Sequence, residues 1–243
     1  MAQNERMLLA VLIDADNIPA KHASAILKEI TRYGEPALRR VYGDWSSSNL
    51  NGWRKVVLEL GLVANQETAN TVGKNASDIG LVIDAMDILH KGRFDGFVLV
   101  SSDSDFTALA NRLREDGVDV IGIGESKAPV SLRNVCNRFI LIENLIEAGK
   151  DVDKSAPKAS AKMSGKKPAK DVIPLVLKAM NNIDADAVSY SLGQLGQYIT
   201  RSNPDFDPRT FGSAKLSSLL IETKRFTVTK DPNGNHLTVQ RLD

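Results

Sequence analysis

The sequence predicts an α/β domain, a parallel sheet with helices on both faces, followed by a small winged helix-turn-helix domain. Three features lead to that reading. Short, almost wholly apolar runs alternate with amphipathic stretches over residues 1–149, the pattern of strands buried on both faces and joined by helices. A stretch rich in Lys, Ala, Ser and Pro then breaks the periodicity over residues 150–170. Residues 171–243 carry three helical periods and one strong hairpin signal.

The strands expected in the first part are Met7–Ile13, Leu38–Gly43, Leu62–Asn65, Gly96–Ser101, Val118–Gly124 and Arg138–Ile142. Helices are expected between them at Pro19–Tyr33, Asn51–Leu60, Ser77–Lys91, Asp105–Asp116 and Val130–Cys136. Asn17 is placed to cap the first helix, with Pro19 in its first turn, and Ser77 to cap the third. Gly117 and Gly149 are expected as helix stops.

The middle stretch has lysines recurring among small residues with almost nothing to bury, so it reads as a flexible tether. In the last part, helices are expected at Val172–Met180, Ser191–Thr200 and Ser213–Thr223. Phe226-Thr-Val-Thr and Leu237-Thr-Val-Gln then flank the turn Asp231-Pro-Asn-Gly.

Composition excludes some classes. With 42% hydrophobic and 25% charged residues, the chain has ordinary globular character rather than the signature of disorder. Cys136 is the single cysteine, so neither a disulfide framework nor a zinc ribbon is available, which fits a reducing, cytoplasmic setting. No apolar run reaches membrane-spanning length, so no membrane partner is expected. The net charge of +1 conceals an asymmetry: −4 over residues 1–149, +5 over 150–170 and zero over 171–243. An acidic body therefore carries a basic arm.

Chemistry concentrates in aspartates. Val11-Leu12-Ile13 runs directly into Asp14-Ala15-Asp16-Asn17, and Val98-Leu99-Val100 into Ser101-Ser102-Asp103-Ser104-Asp105. Ligands of an open parallel sheet bind beyond the carboxyl ends of its strands, where the strand order reverses. Asp14 and Asp103 fall at that edge, and Asp78 can reach it from the start of the intervening helix. Such carboxylates need a cation, and oxygen ligands of this kind suit Mg²⁺ or Mn²⁺ with substrate phosphate. Asp105 can also serve as a helix cap, and Asp16 and Asp87 read as scaffold or solvated residues. Asp84 lies about 240° round the helix from Asp78, so the two do not share one face. Ser101 and Ser102 are each placed to bond a carboxylate or a phosphate. Neither a Gly-x-Gly-x-x-Gly after the first strand nor a Walker sequence occurs. Asp14-Ala15-Asp16 superficially resembles the nucleophile motif of haloacid-dehalogenase phosphatases, but Asn17 and Ile18 differ from the residues typical of that family at the next two positions.

Ile13-Asp14-Ala15-Asp16-Asn17, the run from Lys74 through Asp78 to Asp84, and Ser101-Ser102-Asp103-Ser104-Asp105-Phe106 together resemble the NYN domain family, a branch of the PIN-like, metal-dependent ribonucleases. The resemblance implies a PIN-like (Rossmannoid) fold, and Asp14, Asp78, Asp103 and Asp105 as metal-site acids with Asn17 in support. Asp84 matches the second acid of the family's helix motif, and Ser102 stands where many members have Gly. Leu192-Gly193-Gln194-Leu195-Gly196, the run Pro204 to Gly212, and Lys215 to Leu220 resemble a LOTUS (OST-type helix-turn-helix) domain, which implies RNA binding and, in some members, protein partners. No helix follows the hairpin, so the extended form of that domain is not expected.

The expectation is a cytoplasmic, Mg²⁺- or Mn²⁺-dependent ribonuclease: a nuclease domain at 1–149, a linker at 150–170 and an RNA-binding domain at 171–243. Substrate contacts are expected from Ser102, Lys74, Arg209 and Lys215, with Arg39, Arg40 and Lys127 as further candidates. RNA is the expected partner, with a second protein through the LOTUS domain; a homodimer is compatible with the sequence. Two alternatives stand beside this: a non-catalytic RNA-binding or assembly module, and a metal-dependent phosphatase of another α/β family.

Overall fold

The computed structural model describes residues 6–66, 76–150, 166–230 and 236–242. The chain divides into two compact units, Met1–Lys154 and Ser155–Asp243. In the first unit six strands form one sheet: β1 (Leu8–Asp14), β2 (Glu35–Gly43), β3 (Val63–Gln66), β4 (Gly96–Val100), β5 (Asp119–Gly124) and β6 (Arg138–Leu141). Their order is β3-β2-β1-β4-β5-β6, and every neighbouring pair is parallel. β1 is the pivot: the chain winds outward from it through β2 and β3, then returns to its other side with β4.

The alternation of side chains along β1 feeds two cores. Leu9, Val11 and Ile13 pack with residues of α1 (Ala23–Ile30), α2 (Asn51–Leu60) and α6 (Ile142–Lys150). Ala10 and Leu12 pack with α3 (Ala76–His90), α4 (Phe106–Glu115) and α5 (Val130–Val135) on the opposite face. Leu9 through Ile13 are all fully buried. Each large aliphatic side chain so buried contributes about 1.5–3 kcal/mol. This anchoring fixes where the strand ends, and so where Asp14 stands.

The expected strands appear with ends displaced by a few residues at most, and α2 spans the predicted residues. Four local expectations change. Pro19, not Asn17, occupies the cap position of the 3-10 turn Ala20–His22 that leads into α1, and no side chain caps it. Ser77 lies inside α3, which begins at Ala76. Gly117 does end its helix, in the left-handed region at φ 82°. Gly149 does not, because residues after β6 form α6 through Lys150. The short Ile142/Leu145/Ile146 periodicity of α6 continues straight from the apolar strand before it, which hides the helix in the sequence.

The second unit has α7 (Ile173–Ile183), α8 (Leu192–Ser202) and α9 (Leu216–Glu222), with β7 (Ser189–Ser191), β8 (Phe226–Lys230) and β9 (Leu237–Arg241). The strands form an antiparallel sheet in the order β7-β9-β8. Val176, Met180, Leu195, Ile199, Leu219, Leu220, Phe226 and Val239 fill its core. β7 is not expected from the sequence, since Ser-Tyr-Ser buries only Tyr190. The turn predicted at Asp231-Pro-Asn-Gly lies outside the described residues. Both described ends of the expected linker are structured: Lys150 closes α6, and Lys167 N–H donates to the Thr210 carbonyl at 3.0 Å.

Candidate active site

The carboxyl ends of β1 and β4 adjoin where the winding reverses, which is where open parallel sheets bind ligands. Asp14 is the last residue of β1 and only 4% exposed. Its Oδ1 accepts the N–H groups of Asp16 and Asn17, both at 3.1 Å, and its Oδ2 accepts the Ser101 hydroxyl at 2.8 Å. Burial nevertheless pushes its carboxyl up to about 6, with nearby Asp78 and Asp16 adding to the rise and the Ser101 and Asn17 bonds opposing it.

The loop after β4 is stitched to the loop after β1. Asn17 Oδ1 accepts Ser102 N–H at 3.1 Å, and Ser101 Oγ accepts Asp103 N–H at 3.1 Å. Asn17 therefore supports Asp14 through its backbone while its side chain joins the two strand ends. Asp103 Oδ1 accepts Asp105 N–H at 2.9 Å and so folds the turn leading into α4. Asp105 takes the cap position of α4 without making a capping bond. Asp103 is partly exposed, and Asp105 and Asp16 are exposed.

Asp78 lies in the first turn of α3. Its carboxyl is raised first by burial, then by the charges of Asp103, Asp105 and Asp16. Asp14, Asp16, Asp78, Asp103 and Asp105 thus form one electrostatically coupled group, with Asp14 buried and Asp103 and Asp105 more open to solvent. Among the described residues no three His, Cys, Asp or Glu groups form a ready-made metal cage. The donor set still suits a hard cation held by one or two carboxylates, with water and substrate phosphate completing its shell, as Mg²⁺ is commonly held. Burial together with neighbouring carboxylates, which raise Asp14 and Asp78, is the feature such a cation would relieve.

Other expected residues sit elsewhere. Asp84 is occupied: Arg40 donates to both its oxygens, Tyr42 donates its hydroxyl, and Asn65 Nδ2 donates at 3.3 Å. Asp84, which matches the family's second helix acid, is thus the ion-pair partner of Arg40, itself one of the expected substrate contacts. The bond to Asp84 raises the Arg40 guanidinium above its ordinary value, and burial raises the Tyr42 phenol. Asp87 is exposed on α3. Ser102, an expected substrate contact, is 6% exposed, and its hydroxyl accepts Glu125 N–H at 2.8 Å.

Lys127 pairs with Glu125 at 2.8 Å, and Arg39 donates to the Leu60 carbonyl at 3.3 Å. Lys74 lies outside the described residues. In the second unit Arg209 is locked onto Asp207, with Nε and Nη2 donating to its carboxylate, and both side chains are largely buried. Arg209 thereby anchors this turn. Lys215 is exposed just before α9.

The polar ring around Asp84 was missed by sequence reasoning. The available signal was in β2, where Leu38, Arg40 and Tyr42 share one face of a central strand. An arginine there requires a buried partner.

The solved structure of a protein of unknown function, VPA0982 from Vibrio parahaemolyticus, is 18% identical, with 58% of this chain and 96% of that one covered and a TM-score of 0.49. An uncharacterized protein from gene locus NE0665 of Nitrosomonas europaea is 30% identical over 37% of this chain and 90% of its own, with a TM-score of 0.28. At such scores neither carries an argument about fold or function. No curated protein matches the chain. The OST-HTH/LOTUS domain family matches residues 165–238, and the NYN domain family matches residues 8–143. By that match, over more than half its length, the chain belongs to the NYN domain family.

Proposed function

We propose that this protein is a divalent-metal-dependent ribonuclease that hydrolyses RNA phosphodiester bonds. NYN domains are PIN-like nuclease domains that typically use divalent ions, and LOTUS domains bind RNA. The observation that carries the reading is the coupled group of carboxylates at the sheet's switch point, with Asp14 buried at its base. Mg²⁺ or Mn²⁺ is the proposed ion. Asp14, Asp78, Asp103 and Asp105 would hold it, and the ion when bound supplies Lewis-acid polarisation of the phosphate.

The chain's own part is positioning. Ser101 and the two backbone N–H groups fix both oxygens of Asp14, and the Asn17–Ser102 bond keeps the β4 loop, with Asp103, against it. The net −4 charge of residues 1–149 repels a polyanion unless cations intervene. The basic stretch and the LOTUS domain, covalently attached, raise the local concentration of RNA at that acidic site. We place the reaction in the cytoplasm, where a free buried thiol such as Cys136 persists.

The test is cleavage of end-labelled single-stranded RNA by the whole chain, with Mn²⁺ and with EDTA. Cleavage in Mn²⁺ alone supports the proposal. No cleavage in either, with RNA still bound, supports a non-catalytic RNA-binding module.

A further inference from the structure

Between α7 and α8 in the second unit lies a cleft of about 220 Å³, lined by Leu175, Lys178, Ala179, Asn182, Tyr198, Ile199, Ser202 and Asn203. It arises from the sequence of one helix face. Leu175, Lys178, Ala179 and Asn182 recur at helical spacing on α7, and Ala179 contributes only a methyl group where α8 crosses. Ala179 and Ile199 are buried and make an apolar floor, whereas Tyr198 is half-buried and Lys178, Asn182 and Ser202 are exposed. Drug-sized ligands occupy pockets of about 300 Å³ and more, so this cleft suits a single flat ring.

The lining is also short of partners. Among the described residues the side chains of Lys178, Asn182, Tyr198 and Ser202 make no hydrogen bond or ion pair. Asn203 makes one, donating from Nδ2 to the Ile199 carbonyl at 3.2 Å, which leaves its Oδ1 to accept. An aromatic ring, two amides that both donate and accept, and one cation near a small apolar floor are the means by which proteins hold unstacked bases of single-stranded RNA.

We infer that the α7–α8 cleft is a nucleobase pocket: Tyr198 stacks on one unpaired RNA base, Asn182 and Asn203 bond its edge, and Lys178 meets the adjoining phosphate. The inference rests on the RNA-binding part of the proposed function and adds to it a site and a preference among bases. A net charge of zero over residues 171–243 accords with recognition by a pocket rather than by a diffuse charged surface.

The experiment uses the whole chain carrying Asp14→Asn, which prevents cleavage from confusing the binding signal. Its affinity is measured by fluorescence anisotropy for single-stranded homopolymers of the four bases and for an abasic oligomer of equal phosphate number. At least one homopolymer should bind more tightly than the abasic oligomer, by about tenfold or more. Tyr198→Ala should abolish that difference and Tyr198→Phe should keep it. Ala179→Met, which fills the floor of the cleft, should abolish it in protein that circular dichroism shows to be folded, even where the added bulk lowers the melting temperature. Lys178→Ala should weaken all oligomers alike and flatten the salt dependence.

Equal binding of abasic and base-bearing RNA overturns the inference, and leaves the cleft to some other ligand, such as a protein side chain. So does a base preference that survives both Tyr198→Ala and Ala179→Met. Neither result touches cleavage, which is read separately on the chain with Asp14 intact.

Discussion

Ser101 and Asp14, 87 residues apart in sequence, are joined by a buried 2.8 Å hydrogen bond in which the serine hydroxyl donates to the carboxylate. The same hydroxyl oxygen accepts Asp103 N–H. One side chain thus sets the distance between the two acids that end β1 and introduce α4. Ser101→Ala removes the donor and leaves a buried carboxylate oxygen short of a partner, at a cost of about 1–3 kcal/mol. Because that bond opposes the rise of the Asp14 carboxyl, its loss should move the acid limb of the pH–rate profile upward. Urea unfolding and a pH series of cleavage rates measure the two effects.

Asp14 should destabilise the metal-free fold in a defined pH window. Its carboxyl goes from an ordinary 3.8 to about 6 on folding, so the folded state favours the protonated form. Below about pH 4 there is no penalty. As pH rises from 4 to 6 stability is lost, by about 3 kcal/mol in all, and above 6 the loss is complete. Asp14→Asn should therefore be more stable than the native chain at pH 7 without divalent ions, and equal to it near pH 4. Adding Mn²⁺ at pH 7 should raise the melting temperature of the native chain and not of the variant.

Asp84 and Arg40 should matter to stability far more than to ion binding. Asp84→Ala strands Arg40 and the Tyr42 hydroxyl, and since the pair keeps 19–29% side-chain exposure, the cost is about 1–3 kcal/mol. Replacing both members, Arg40→Leu with Asp84→Leu, should recover most of it. Mn²⁺ affinity, by isothermal titration, should change less than about threefold in either variant, well under the effect of losing a direct metal ligand.

Gly124 closes the site from β5. A Cβ there would lie 2.6 Å from the Ser101 carbonyl oxygen and 3.0 Å from Ser102 Oγ, so the loop bearing Asp103 must shift to admit it. Gly124→Ala should cost about 1–3 kcal/mol and lower the cleavage rate by a larger factor than its loss of folded protein explains. Single-turnover rates set beside the folded fraction from circular dichroism separate the two.

The parts of this molecule that were legible in sequence share one physical basis. Leu9 to Ile13 and Phe97 to Val100 are buried without interruption, so they read as central strands, and the first acid after each marks the binding edge. The places of Asp14 at the end of β1 and of Asp103 just beyond the end of β4 were legible for that reason alone. Partners that come from distant elements were not. Whether Ser102 faces a ligand or the scaffold depends on Glu125 at the end of β5, and whether Asp84 is available depends on Arg40, Tyr42 and Asn65. The Asp207–Arg209 clasp is likewise invisible until the turn is folded. Short elements escape as well, since β7 shows no alternation over its three residues.

If these aspartates perform metal-dependent RNA cleavage, the single-turnover rate in saturating Mn²⁺ depends on each of them. That rate is compared for the native chain, Asp14→Asn and Asp103→Asn, each confirmed folded. The native chain should cleave robustly, and each variant should lose about a hundredfold or more, the removal of about 3 kcal/mol of transition-state stabilisation. Equal rates in all three would refute the assignment of the chemistry to this cluster.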